Sequence, residues 1–124
     1  MQARILLIED EASVRECLAY ALAHAGYEVL EAADGKEGIT LYHKAPADLI
    51  ITDLIMPEQD GLEVIMEVRR NFPEAKIIAI SGGGRLRNTG YLKTAKKLGA
   101  TSTLIKPFAI DELLQVVQEN LRAG

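Results

Sequence analysis

The chain has 124 residues, of which 48% are apolar and 26% are charged, the size and composition of one soluble globular domain. These values exclude a disordered, collagenous or disulfide-scaffold protein, and the single cysteine, Cys17, cannot form an internal disulfide. No apolar run is long enough to cross a membrane, and the first residues lack the layout of a secretory signal, so we expect a cytoplasmic protein. The 18 acidic and 14 basic side chains give a net charge of −4, which disfavours a nucleic-acid partner.

Five short runs rich in aliphatic and β-branched residues indicate β-strands. In chain order they lie at residues 4–8, 28–32, 48–52, 76–80 and 102–105. The runs around Leu6 and Ile50 are apolar at successive positions, which is typical of strands that are buried on both faces.

The segments between these runs carry apolar residues at helical spacing. In the first of them Val14, Leu18 and Leu22 repeat at intervals of four, Cys17 lies near the same stripe and is expected to be buried, and Gly26 follows at a typical helix end. The later helices are predicted at about 35–44, 61–71, 91–98 and 110–121, and in the third of the five Leu62, Ile65, Met66 and Arg69 stand at helical spacing.

The regular alternation of strand and helix predicts an α/β fold with a parallel sheet. Right-handed crossovers then place helices on both faces of the sheet. We expect one domain over residues 1–124, with no output domain in this chain.

Polar side chains follow four of the five predicted strands at the point where each strand ends. Glu9 and Asp10 follow the first strand, Asp53 the third, Ser81 the fourth and Lys106 the fifth. Because ligands of an open parallel sheet bind beyond the carboxyl ends of its strands, we expect these side chains to converge.

This set of side chains suits one kind of chemistry. Carboxylates of Glu9, Asp10 and Asp53 in one cleft would repel each other, and Mg²⁺, which prefers oxygen ligands, would relieve the repulsion. The ammonium of Lys106 and the hydroxyl of Ser81 complete the groups that phosphoryl transfer to an aspartate requires. Two plainer interpretations stay open, namely an acidic first helical turn after the first strand and a turn-forming aspartate after the third.

The whole chain resembles the receiver domain of two-component response regulators, of the stand-alone chemotaxis-regulator size. The resemblance implies a flavodoxin-like, doubly wound sheet of five parallel strands in the order 2-1-3-4-5, with five helices. It rests on four motifs that occur in this order: Ile8-Glu9-Asp10-Glu11, then Asp53-Leu54-Ile55-Met56-Pro57 with Asp60-Gly61, then Ile80-Ser81-Gly82, and Leu104-Ile105-Lys106-Pro107-Phe108.

The resemblance also implies a phosphorelay function rather than an enzyme, apart from self-catalysed phosphoryl transfer and slow dephosphorylation. The phosphodonor would be a phosphohistidine on a sensor histidine kinase or a histidine phosphotransfer protein, and the output a downstream protein target. A cis peptide before Pro107 is expected. The implied roles are the phospho-acceptor for Asp53, Mg²⁺ ligands for Glu9, Asp10, Asp53 and the carbonyl of Ile55, and contacts to the phosphoryl group for Ser81 and Lys106.

Three features depart from the family pattern. Glu9 stands where an aspartate is commoner, and Thr103 stands where an aromatic residue usually turns inward on activation. The segment 82–88 looks a few residues longer than usual and begins with three glycines. We therefore expect activation to run through segment 82–88 and the fourth helix.

Other functions are weighed against this one. A phosphohydrolase of the haloacid-dehalogenase kind needs a second carboxylate two residues after the nucleophile, where this chain has Ile55. A flavin or nucleotide binder is suggested only by the three glycines, which match neither common phosphate-binding motif. An interaction module that takes no phosphate remains the alternative. Basic residues that form either a solvated face or a docking surface for an acidic partner are Arg85, Arg87, Lys93, Lys96 and Lys97.

Overall fold

The protein folds as one parallel sheet with helices on both faces. The computed structural model describes residues 2–54, 61–81 and 89–122, and for residues 89–92 it describes the backbone alone. The sheet order is β2-β1-β3-β4-β5 and every neighbouring pair is parallel, as predicted. The elements are β1 (Arg4–Ile8), α1 (Ala12–His24), β2 (Glu28–Ala32), α2 (Gly35–Lys44), β3 (Leu49–Asp53), α3 (Gly61–Asn71), β4 (Ile77–Ser81), α4 (Thr89–Leu98), β5 (Ser102–Ile105) and α5 (Ile110–Arg122).

The third strand ends one residue later than the sequence predicts. It covers Leu49–Asp53 rather than 48–52, so Asp53 belongs to the strand. The sheet continues past this point, since the amide of Leu54 donates to the carbonyl oxygen of Ile80 at 2.8 Å. The pleat of the sheet, rather than a loop, therefore sets the direction of the Asp53 side chain.

The fourth strand shows the same shift. It covers Ile77–Ser81 rather than 76–80, and the amide of Lys106 donates to the carbonyl oxygen of Ser81 at 2.9 Å. Ser81 therefore also lies within the sheet. Among the helices, α4 begins two residues earlier than predicted and α5 ends one residue later.

The core has two layers, one on each face of the sheet. Leu6 and Ile8 point to the layer that α2, α3 and α4 cover, whereas Ile5 and Leu7 point to the layer that α1 and α5 cover. All four are fully buried, as expected for a central strand whose successive side chains alternate between faces. In the part of the chain that the structure describes, no helix has the length and apolar character needed to span a membrane.

Two predictions about inward-facing helical residues are wrong. Cys17 is exposed, because α1 turns Leu18, Ala19 and Leu22 toward the sheet and leaves Cys17 at the solvent side of that stripe. Met66 is 46% exposed. The buried stripe of α3 runs instead through Val64, Ile65 and Val68, which is one position out of phase with the predicted spacing.

Gly61 is the point where α3 begins against the end of β3. A Cβ at this position would lie 2.3 Å from the carbonyl oxygen of Asp53 and 2.7 Å from the Cα of Leu54. Both are backbone atoms that cannot turn aside. Only glycine therefore lets α3 start this close to the strand that carries Asp53.

We expect Gly61→Ala to lower the free energy of unfolding by about 2–3 kcal/mol, in the upper part of the usual range for an overpacked core, because the clash is with backbone. Gly38→Ala is the comparison variant, because a Cβ there meets side-chain atoms, Cδ1 and Cγ1 of the buried Ile8, which can shift at a smaller cost than backbone atoms. Urea unfolding of the two variants checks the prediction. A Gly61→Ala protein as stable as Gly38→Ala would contradict it.

Candidate functional site

Three carboxylates meet at the carboxyl edge of the sheet. Glu9 directly follows β1, and its amide donates to the carbonyl oxygen of Ala32 at 3.0 Å, which extends the pairing with β2. Asp53 ends the neighbouring strand β3. Each of Glu9, Asp10 and Asp53 offers one carboxylate oxygen, and these oxygens lie within 4.8 Å of one another. The convergence predicted from the sequence is therefore confirmed.

The cluster is buried on one side and open on the other. Glu9 is 2% exposed and Asp53 is 6% exposed, whereas Asp10 faces solvent. Buried carboxylates require a compensating charge because removing them from water is costly. An open side leaves room for a ligand that approaches from solvent.

Lys106 supplies the compensating charge. Its Nζ lies 2.8 Å from Glu9 Oε1 and 3.3 Å from Asp53 Oδ2, so the ammonium bridges the two buried carboxylates. The shorter contact is to Glu9, whose longer side chain reaches across the cleft. The sequence placed Lys106 in this cleft but did not indicate its preference for Glu9.

The surroundings of Lys106 keep its side chain charged. Burial works against the ammonium, but the hydrogen bond to Glu9 and the charges of Asp53 and Glu9 outweigh it, so the pKa of Lys106 is raised. The bridge between the two carboxylates is therefore an ion pair at neutral pH.

The pKa of Asp10 is raised as well. The largest cause is partial burial of its carboxyl group, followed by a hydrogen bond with Glu9 and the negative charge of Glu9, while Lys106 acts in the opposite direction. Ionised Asp10 is thus held at an electrostatic cost beside Glu9. A cation between the carboxylates would relieve that cost, so the donor set fits a hard divalent ion with oxygen ligands.

Arg15 is a member of the site that sequence reasoning missed. Its Nη1 donates to the carbonyl oxygen of Glu9 at 2.8 Å, and its Nε lies 3.6 Å from Glu31 Oε1. The sequence signal that could have identified Arg15 is its positive charge near the start of a helix. A cation there opposes the helix dipole, which indicates that the side chain has a specific partner.

The other predicted residues lie around this centre. Ser81 is buried at the end of β4, next to β3, and Thr103 is half-buried on β5 with Ala79 as its cross-strand partner. The peptide between Lys106 and Pro107 is cis, which confirms that prediction.

Some of the predicted features cannot be placed. Ile55 and segment 82–88, with Arg85 and Arg87, lie outside the described residues. The three lysines of α4 that were considered with those arginines, Lys93, Lys96 and Lys97, are exposed.

Comparison with known proteins identifies the family. Residues 5–118 match the family model for the response regulator receiver domain, and the chain therefore belongs to that family. Members of the family work with histidine kinases and are generally not classified as enzymes.

The relatives differ in length. The chemotaxis protein CheY of Thermotoga maritima is 32% identical over 120 residues, which cover 96% of this chain and 98% of that protein. The probable transcriptional regulator ycf27 of Guillardia theta is 34% identical over 119 residues, which cover 96% of this chain but 45% of that protein. The chain spans about half the length of the ycf27 relatives, which also include those of Porphyridium aerugineum and Cyanophora paradoxa.

Solved structures agree with this assignment. Vibrio cholerae chemotaxis protein CheY4 aligns with a TM-score of 0.88 at 33% identity, over 96% of this chain and 98% of that one. A CheY-like receiver domain protein of Methanospirillum hungatei aligns with a TM-score of 0.91 at 25% identity, over 99% of this chain and 96% of that one. The predicted fold, with strand order 2-1-3-4-5, is thereby confirmed.

Proposed function

We propose that this chain is a phospho-accepting signalling receiver in which Mg²⁺-dependent transfer places a phosphoryl group on Asp53. The observation that carries the proposal is the acidic cluster, in which carboxylate oxygens of Glu9, Asp10 and Asp53 lie within 4.8 Å of one another. The Lys106 ammonium bridges two of these carboxylates, those of Glu9 and Asp53. A nucleophilic carboxylate, a site for a divalent cation and a fixed ammonium are the groups that this transfer needs.

In the proposed reaction an Asp53 carboxylate oxygen attacks the phosphorus of a phosphohistidine. The new O–P bond forms as the N–P bond breaks, and the imidazole leaves with its electron pair and takes up a proton. The phosphohistidine belongs to a sensor histidine kinase or a histidine phosphotransfer protein. The product is an acyl phosphate on Asp53.

The acidic cluster would hold the metal ion. Glu9, Asp10 and Asp53 each offer one carboxylate oxygen, and the carbonyl of Ile55 is the expected backbone ligand. Mg²⁺ bound there supplies positive charge for the phosphoryl oxygens in the transition state.

Lys106 and Ser81 would bind the phosphoryl group. Lys106 lies 3.3 Å from Asp53 and is anchored by Glu9 at 2.8 Å, so its ammonium is in reach of a group attached to Asp53. Ser81 ends the strand next to β3 and offers a hydroxyl donor at the same edge of the sheet. We expect the phosphorylated form to act in the cytoplasm on a downstream protein, as a single domain over residues 1–124.

The test is incubation with acetyl phosphate, a small phosphodonor, followed by intact-mass measurement. We expect a mass gain of one phosphoryl group that requires Mg²⁺ and disappears when EDTA removes the metal. No mass gain, or the same gain in EDTA, would contradict the proposal.

Thr103→Ala should leave phosphorylation and partner binding nearly intact. Threonine has few rotamers and fills little space, so it makes a poor two-state element, and the output should run through 82–88 and α4 instead. Amide exchange before and after phosphorylation checks this, with the largest change expected in 82–92 and little around Thr103. Uncoupling of phosphorylation from partner binding in Thr103→Ala would show that Thr103 is itself a switch residue.

A further inference from the structure

The Arg15 side chain joins three parts of the protein next to the acidic cluster. It belongs to the start of α1, its Nη1 donates to the carbonyl oxygen of Glu9 at 2.8 Å, and its Nε lies 3.6 Å from the Glu31 carboxylate on β2. Only 19% of the side chain is exposed. The guanidinium is therefore packed at the junction of β1, β2 and α1 rather than extended into solvent.

The carbonyl that Arg15 binds belongs to the peptide between Glu9 and Asp10. The amide of Glu9 is paired with Ala32, so the sheet holds the residue on the side before this peptide. Beyond it, the chain turns into α1, and the amide of Glu11 donates to Glu9 Oε2 at 3.2 Å. This peptide plane sets the direction in which Cβ of Asp10 leaves the backbone, so a hydrogen bond that fixes the plane also bears on the position of the Asp10 carboxylate.

The electrostatic effect of Arg15 has the opposite sign to this geometric effect. A positive charge close to the cluster repels a divalent cation, and a cation near a helix N-terminus is also unfavourable. If charge alone mattered, removal of the guanidinium would tighten metal binding. If orientation of the peptide matters more, removal of the guanidinium would weaken it.

We propose that Arg15 is a positioning residue for the divalent-cation site, which orients the Glu9–Asp10 peptide so that the Asp10 carboxylate meets that of Asp53. Glu31 holds the guanidinium in place from β2. The proposal rests on the proposed function, because it assumes that this cluster binds Mg²⁺. The start of α1 then contributes to cation binding together with the three acidic residues.

The test compares Mg²⁺ affinity among Arg15→Gln, Arg15→Lys and the wild type, by titrating Mg²⁺ and following backbone amide shifts. Arg15→Gln should bind Mg²⁺ about tenfold more weakly, in the lower part of the range for residues that orient metal ligands. Arg15→Lys should recover part of the affinity, since an ammonium can reach the Glu9 carbonyl but lacks the two-sided geometry of the guanidinium.

Arg4→Gln is the matched control. Arg4 pairs with Glu28 across the same two strands, at 3.3 Å, but near the opposite end of the sheet. The Mg²⁺ affinity of Arg4→Gln should stay within about twofold of the wild type even if the variant is less stable to urea. Arg4 does not contact a metal ligand, and the groups that tune a metal site are those that contact its ligands.

The possible outcomes are distinct. Unchanged or tighter Mg²⁺ binding in Arg15→Gln, with the wild type binding normally, overturns the role of Arg15 and leaves the proposed function standing. If the wild type itself binds no Mg²⁺, both proposals fail. If Arg15→Gln does not fold, Arg15→Lys decides, because it keeps the positive charge and loses only the two-sided geometry of the guanidinium: weaker Mg²⁺ binding than in the wild type supports the positioning role, and equal or tighter binding overturns it.

Discussion

Asp53→Asn is expected to abolish phosphorylation by acetyl phosphate in Mg²⁺. The amide has nearly the same shape as the carboxylate but has no anionic oxygen to attack phosphorus, so the rate at which phosphorylated protein forms should fall by about 100-fold or more, in line with loss of a nucleophile. The fold should persist, because Lys106 keeps its 2.8 Å contact with Glu9 and one of two buried carboxylates is removed. Intact mass measures the loss, and urea unfolding verifies that the variant is folded.

Asp111→Asn serves as the matched control for this substitution. Asp111 is an exposed aspartate in the first turn of α5, so the same chemical change is made on the protein surface. This control should take up phosphate as the wild type does. A mass gain that is undiminished in Asp53→Asn would place the acceptor on another residue.

Asp10→Ala is expected to abolish both Mg²⁺ binding and phosphorylation. Asp10 is the solvent-facing member of the cluster, so its loss removes the carboxylate that a metal ion meets first and leaves Glu9 and Asp53 neutralised in part by Lys106. Titration followed by backbone amide shifts should show no saturable Mg²⁺ effect. Equal Mg²⁺ affinity in the variant would mean that the ligand assignment is wrong.

Asp10→Ala should not destabilise the protein in the absence of metal. The pKa of Asp10 is raised in the folded state by burial and by Glu9, so folding is favoured by the protonated form. Its contribution to stability is thus present at low pH and is lost as the pH rises through that pKa. At neutral pH the ionised carboxylate opposes folding, and its removal should raise the free energy of unfolding slightly.

Glu11→Ala is the matched control for Asp10→Ala. Glu11 is an exposed acid next in the chain, and its backbone amide, which bonds to Glu9, is kept in the variant. Mg²⁺ should stabilise the wild type and Glu11→Ala against urea but have no effect on Asp10→Ala. Loss of the Mg²⁺ effect in both variants would indicate a general charge effect rather than a ligand role for Asp10.

The sequence was sufficient to predict the fold because the strands carry strong and consistent signals. The bounds of β1, β2 and β5 are as predicted, while β3 and β4 are each displaced by one residue. The displacement arises because hydrophobicity cannot show whether a polar residue after an apolar run still belongs to the strand. The ladder bonds that the amides of Leu54 and Lys106 donate, to the carbonyl oxygens of Ile80 and Ser81, show that Asp53 and Ser81 do.

The candidate site was predictable in its acidic and basic members but not in how they pair. Strand ends place Glu9, Asp53 and Lys106 at one edge, yet only side-chain length and direction determine that Lys106 lies closer to Glu9. Arg15 could not be assigned from spacing, since its partner is a backbone carbonyl. Cys17 was misplaced because the facing of a helix depends on a phase that one position can change.

The most direct test of the account identifies the residue that carries the phosphoryl group. The protein is phosphorylated with acetyl phosphate and Mg²⁺, reduced with borohydride, which converts an acyl phosphate into an alcohol, and then digested for peptide mass mapping. We expect Asp53 alone to be reduced, which converts it to homoserine, and we expect EDTA or Asp10→Ala to prevent the change. Reduction at Glu9 or Asp10, or a phosphoryl group retained on another side chain, would contradict it.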